Sequence, residues 1–148
     1  MIEVRPASSV DAERWLTMRC ALWPDESRGE LEREVKLHFA GGLARLLAVF
    51  VAVEAGKGVG FAELNIRPYA EGCATERVAF LEGWYVEPHA RRAKVGAALI
   101  TAAEAWARRQ GCVEFASDAL YENALGRAAH VGVGFEEVEA IRCFRKQL

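Results

Sequence analysis

Apolar positions in this chain follow two rhythms, and the switches between them divide it into elements. Residues 2–5 alternate like a short strand. Trp15, Met18 and Leu22 recur at helical spacing, with Ser8 or Ser9 as cap, Asp11 in the first turn and Pro24 as the stop. Leu31, Val35 and His38/Phe39 predict a second short helix ended by Gly41-Gly42. Residues 46–54 and Val59 to Ile66 read as strands joined by a hairpin loop, Ala55 to Gly58. A polar loop from Pro68 to Arg77 leads into a central strand, Val78 to Glu87. Lys94 to Gln110 is a helix with Val95, Ala98, Leu99, Ala102, Ala103 and Trp106 on one face and Gly111 as its stop. Val113 to Ser117 is a strand and Asn123 to about Val131 a short helix closed by Gly132 and Gly134. Phe135 to Glu139 and Ile141 to Lys146 read as two last strands able to pair.

This order predicts a mixed α/β (α+β) domain spanning residues 1–148, with no repeat or linker. The strand–helix–strand unit at 80–117 supplies a parallel pair through a right-handed crossover. Gly83 interrupts an otherwise apolar strand. Such a glycine marks a bulge, a close ligand approach or simple packing. A bulge there would splay the central strand from its neighbour at 113–117 and free backbone groups for an extended ligand arm.

The sequence has 148 residues, 52% of them apolar and 27% charged, which suits one soluble domain. A net charge of −2 argues against bulk attraction to nucleic acid or membrane. Cys20, Cys73, Cys112 and Cys143 form no zinc spacing with His38, His89 or His130, so no metal is expected. Glu3 and Arg5 break any early apolar run, and no stretch is long enough to span a bilayer; a cytoplasmic protein with free thiols is expected.

Charge is unevenly placed. Arg91, Arg92 and Lys94 cluster in the loop before the long helix, while acids gather at Asp25/Glu26, Glu82, Asp118 and Glu136/Glu137/Glu139. A buried strand, a proline-bounded turn, a basic loop containing glycine and a helix start aim N–H groups and positive charge at one point, as a pyrophosphate requires. Glu82 lies just upstream. A phosphate cradle beside an acid suggests group transfer from a phosphate-bearing cosubstrate.

These residues resemble the GNAT superfamily of acetyl-CoA-dependent N-acetyltransferases. The family pattern V-x-P-x-x-R-x-x-G-x-G/A reads here Val86-Glu-Pro88-His-Ala-Arg91-Arg-Ala-Lys94-Val-Gly96-Ala97, and Asn123 opens a helix leading to Gly134-Phe135. A closer likeness is to aminoglycoside 6'-N-acetyltransferases. It is carried in order by Leu22-Trp23-Pro24, Gly60-Phe61-Ala62, Leu81-Glu82-Gly83, Ala116-Ser117-Asp118, Glu122-Asn123, His130 and Gly134 to Glu137. The resemblance implies a mostly antiparallel sheet with one splayed parallel pair, flanked by helices. It also implies acetyl-CoA as cosubstrate, a cationic aminoglycoside as acceptor, direct transfer in a ternary complex, antibiotic resistance and a homodimer. Lys94 replaces the loop's usual first glycine; it would strain the loop if the position requires positive φ. Phe144 removes a hydroxyl that related sequences can carry. His130 stands where many members place a tyrosine near the cofactor sulfur.

The acceptor amine must lose a proton, so Glu82 and Asp118, at strand ends facing the crevice, are the candidate bases. Both also suit binding of a polycation, with Glu139 as a third acid and Trp23 and Tyr69 as sugar-stacking walls. A freed N–H near Tyr85 or Val86 would serve the thioester oxygen. Arg91, Arg92, Ala93, Lys94, Val95, Gly96 and Ala97 would hold the pyrophosphate, Asn123 the pantetheine arm, and His130 would protonate the thiolate. Plainer roles stand beside these: Asn123 as a helix cap, Trp23 as a core anchor, Asp118 as a turn cap, Glu139 on a solvated face. Two other functions remain open, acetylation of a different amine (polyamine, amino sugar or peptide) and a non-catalytic acetyl-CoA-binding module.

Overall fold

Three layers follow from where the apolar stripes must be buried. The computed structural model describes all 148 residues. Five strands, β1 (Ile2–Pro6), β2 (Ala48–Glu54), β3 (Lys57–Arg67), β4 (Val78–Val86) and β5 (Phe115–Ser117), lie side by side in chain order. All neighbours are antiparallel except β4 and β5. Helix α3 (Val95–Arg109) presses Val95, Leu99, Ile100 and Ala103 onto Ala62, Leu64, Ala79 and Leu81. Helices α1 (Ala12–Leu22) and α2 (Arg28–Phe39) cover the other face, with Trp15, Met18, Leu31 and Val35 against Val49, Val51, Phe61 and Tyr85. Helix α4 (Ala124–Gly132) lies on the α3 side, where His130 meets Trp84 edge-on at 5.3 Å. No helix is long and apolar enough to cross a membrane.

The alternating and helical rhythms place these elements, and the corrections are local. The β2–β3 connection is a two-residue turn, Ala55–Gly56, both with positive φ (49° and 76°), and β3 begins already at Lys57. Twist favours such a turn over the longer loop. Strand β5 is cut to three residues, because its ladder to β4 ends at the Leu81–Ser117 pair.

The two strands expected in 135–146 do not form within the chain. After Gly134 (φ 99°) the segment leaves the sheet and passes the 68–77 loop, where Val138 sits on Gly72. It pairs with neither sheet edge, and an alternating sequence becomes a strand only beside another backbone. Val138, Ile141 and Phe144 are left exposed, Phe144 to 91%.

Candidate active site

Strand β4 frames the site. Its ladder with β3 pairs Glu63 with Gly83 and Leu64 with Leu81, so Glu82 is the extra residue of a bulge. The bulge thus falls one residue before the glycine that the sequence singled out. Gly83 has its own cause: a Cβ there would stand 2.8 Å from Trp23 Cη2 and 3.4 Å from Glu63 Oε2. Glycine lets the Trp23 ring lie on the strand. Because β5 stops pairing at Leu81, the β4 edge from Glu82 to Val86 has no strand beside it. Free backbone N–H and C=O groups on such an edge accept an extended ligand.

On the α1/α2 side of this opening lies an acidic cavity of about 200 Å³, lined by Trp23, Glu26, Glu34, Arg45, Glu63 and Glu82 among others. Glu82 reaches it as part of a pair. Arg67 donates from Nε and Nη2 to its two oxygens at 2.8 and 2.7 Å, a two-pronged fork. Arg67 also stacks on Phe80, 3.6 Å from the ring centroid. The hydrogen bond to Glu82 holds the Arg67 guanidinium above its ordinary pKa against the opposing effect of burial, and the charges of Glu82, Asp118 and Glu71 add to this. Asp118, the residue after β5, acts on the same guanidinium through its charge alone, without a hydrogen bond.

At the cavity floor Glu63 accepts from Trp15 Nε1 at 2.9 Å and from Arg19 Nε at 2.6 Å. Both ion-pair partners are only 3% exposed. Burial pushes the Glu63 carboxyl up, while Arg19 and the Trp15 N–H pull against it. With N–H donors on both oxygens, the carboxylate anion is the form this site fits. Arg19 then lies under Trp23, 5.1 Å from its ring, and fixes that wall.

On the α3 side, Pro88–Ala90 forms a 3₁₀ turn and Arg91 Nε donates to the Val86 carbonyl at 3.0 Å. Lys94 precedes α3 with φ 60°, so the position does demand the left-handed region, and lysine occupies it at a cost. The first amides of α3, from Val95 to Ala97, lack carbonyl partners within the helix and give an anion site. Gly96 lies under Trp84: a Cβ there would be 3.1 Å from Trp84 Cζ2 and 3.6 Å from Nε1. Trp84 Nε1 is buried without an acceptor. A buried donor left over beside the anion site and the open strand edge fits a cosubstrate arm that carries carbonyl groups. Tyr85 faces the opposite layer, packed on Phe61 at 6.0 Å, and its hydroxyl donates to Glu87 at 3.3 Å. Only its backbone and that of Val86 belong to the open edge.

Other expected residues are placed less centrally. Asn123 Oδ1 accepts from the Gly126 N–H at 2.9 Å, which makes it the N-cap of α4. Tyr69 is 65% exposed on the loop after β3, and Glu139 is exposed on the C-terminal segment; neither lines the cavity. His130 lies beside Trp84 and Phe135 and contacts Ser117 at the end of β5. Arg67, Trp84, Ser117 and the Arg19–Glu63 pair escape a reading of the sequence. Glu63 alone leaves a trace there, a single acid inside the apolar run Gly60 to Leu64.

The Acetyltransferase (GNAT) family pattern matches residues 12–135. The chain is 53% identical over 146 residues to an aminoglycoside N(6')-acetyltransferase type 1 of Klebsiella aerogenes, covering 98% of this chain and 96% of the relative. It is 43% identical to a protein of the same name from Stenotrophomonas maltophilia, covering 98% and 93%. Among solved structures, AAC(6')-Iy in complex with the bisubstrate analog CoA-S-monomethyl-acetylneamine matches with TM-score 0.92 and 33% identity over 100% of this chain and 99% of that one.

Proposed function

The chain belongs to the GNAT acetyltransferase family, and from that membership and the site geometry we propose that it transfers the acetyl group of acetyl-CoA to the 6'-amine of aminoglycosides. The observation that carries this reading is the open β4 edge from Glu82 to Val86, with the amides of α3 on one side and the acidic cavity on the other. The aminoglycoside N(6')-acetyltransferases that match 98% of this chain support the choice of acceptor.

Acetyl-CoA would lay its pyrophosphate on the amides of Val95 to Ala97, beside Arg91, Arg92 and Lys94, with Ala93 in the same loop. Its pantetheine arm would add to the free edge of β4, with Trp84 Nε1 and the free Asn123 amide N–H groups as donors. The N–H of Tyr85 or Val86 would receive the developing negative charge on the thioester oxygen. The aminoglycoside would enter as a polycation drawn by Glu82, Asp118 and the cavity acids, with Trp23 as its wall. Glu82 or Asp118 takes the ammonium proton, directly or through water, so that the neutral amine attacks. Arg67 already fills one side of both Glu82 oxygens, which favours Glu82 as anchor and leaves Asp118 the freer base. Tyr69 and Glu139 lie outside the cavity and reach the drug only at its rim or across an assembly.

We assign residues 1–148 to one domain, place the protein in the cytoplasm where its cosubstrate is made, and read resistance as its role. The unpaired segment 135–148 supports a homodimer: its exposed Val138, Ile141 and Phe144 offer an apolar surface that a second copy would cover. Light scattering on the intact protein and on Phe144→Glu checks this, with a dimer expected only for the former.

The reaction itself is tested by incubating the protein with acetyl-CoA and kanamycin. One added acetyl group by mass spectrometry, placed on the 6'-nitrogen by NMR, is expected. An acetyl group on another nitrogen, or none, overturns the reading.

A further inference from the structure

His130 is held on both ring nitrogens. Nδ1 lies 2.6 Å from the Gly126 carbonyl oxygen, which can only accept, so Nδ1 carries a hydrogen. Nε2 lies 2.7 Å from Ser117 Oγ. The ring is clamped edge-on between Trp84 and Phe135, each 5.3 Å away between centroids. His130 therefore cannot turn a nitrogen into the β4–β5 opening without breaking these contacts. Ser117 touches the ring on one side and lies at the end of the β4–β5 ladder on the other. It is the last residue of β5 to pair with β4, opposite Leu81, and the open edge starts at the next β4 residue. Its other polar neighbour, the Leu81 carbonyl, is 3.5 Å away, too far to hold the hydroxyl hydrogen firmly.

We propose that Ser117 and His130 form a two-link proton relay to the departing CoA thiolate, with Ser117 as the group that touches the sulfur. The relay rests on the acetyl-transfer reading above. With His130 as imidazolium, Nε2–H donates to Ser117 Oγ and the serine O–H is free to face the opening. As the C–S bond breaks, the sulfur takes the Ser117 hydrogen as a proton and Ser117 Oγ takes the Nε2 proton. Nδ1–H stays on the Gly126 carbonyl. The ring ends neutral in the tautomer that its two contacts already select, with Nε2 accepting from the restored hydroxyl. The acceptor nitrogen sheds two protons between ammonium and amide; one offsets the proton that recharges the ring and the other leaves to solvent, so each turnover balances with one proton released.

Two links acting in one step lose the same step when either is cut. Thiol release from acetyl-CoA with kanamycin is measured for the wild type, Ser117→Ala, Ser117→Thr, His130→Gln and the Ser117→Ala/His130→Gln double variant, each checked for folding by circular dichroism. The relay predicts that Ser117→Ala and His130→Gln each lower kcat by roughly 10²-fold, the low end for general acid catalysis. The acetyl-CoA KM should stay within about twofold, the double variant should be no slower than the worse single, and Ser117→Thr should retain most activity. Wild-type kcat in folded Ser117→Ala, or multiplicative losses in the double variant, overturns the relay. A wild-type protein that releases no thiol overturns instead the reading on which the relay rests.

Discussion

Arg67 and Glu82 sit on neighbouring strands with their planar groups joined by two hydrogen bonds of 2.8 and 2.7 Å, so the acid at the β4 bulge is aimed by the end of β3. A bulge residue has no ladder partner to fix it, and the guanidinium supplies that constraint from the side. Replacing it by Arg67→Met should release Glu82 and lower kcat/KM for an aminoglycoside about tenfold, the scale of one misplaced polar contact. The acetyl-CoA KM should not move. Steady-state kinetics with each substrate varied in turn checks this, and an unchanged acceptor kcat/KM would detach Arg67 from the site.

The Arg19–Glu63 pair makes a prediction about stability. Both side chains are 3% exposed, so Glu63→Gln leaves a buried guanidinium with part of its ligation gone. Arg19 retains the Leu31 carbonyl at 3.0 Å and Glu34 at 2.8 Å. The loss is therefore expected near the low end for a broken buried pair, about 3 kcal/mol. Urea unfolding monitored by tryptophan fluorescence measures it, and a loss under about 1 kcal/mol would place the fold's support elsewhere.

Lys94 and Ala55 carry the two positive φ angles outside glycine, 60° and 49°. Lys94→Gly and Ala55→Gly should each relieve roughly 1 kcal/mol of backbone strain and raise Tm by about 2–4 °C, less the entropy that glycine adds to the unfolded chain. Lys94→Gly also removes a charge from the anion site, so a raised acetyl-CoA KM should accompany its raised Tm. A fall in Tm of more than about 4 °C for both would exceed the entropic cost of a new glycine and show that neither backbone is strained. Differential scanning calorimetry decides.

His38 couples the fold to pH. Burial lowers its pKa below the ordinary value of about 6.5, the contact with Leu46 opposes this, and the charge of Arg19 adds to the lowering. The unfolded chain then binds the proton more readily than the folded one. Stability from this residue is complete above about pH 6.5 and is lost as pH falls through the lower folded value. Urea midpoints between pH 7.5 and 5 should decline for the wild type and decline less for His38→Gln. Parallel curves would remove His38 as the cause.

The halves of the chain differ in how much the sequence discloses. Helix α3 was legible because Val95, Leu99, Ala103 and Trp106 recur on one face, the one that meets the sheet, and β4 because its apolar run is bounded by Pro88. The anion loop was legible because its chemistry is local, and the likeness of Pro88 to Ala97 to a known pattern placed it. The segment after Gly134 misled, since apolar residues such as Ile141, Cys143 and Phe144 mark a strand without naming its neighbour. Arg67 with Glu82 and Ser117 with His130 were hidden for a related reason: each pair is made by register or by packing of α4, and neither distance exists along the chain. Trp84 was hidden because nothing in an apolar run discloses that its Nε1 will be buried without an acceptor.

The central claim is that the bulged β4 edge presents the acetyl thioester to a 6'-amine. Thiol release from acetyl-CoA, compared between kanamycin and an aminoglycoside with a hydroxyl in place of the 6'-amine, tests it most directly. The account predicts sustained release with kanamycin and background release with the 6'-hydroxyl compound. Equal release with both would contradict it, because the acetyl group would then be leaving for another nitrogen or for water.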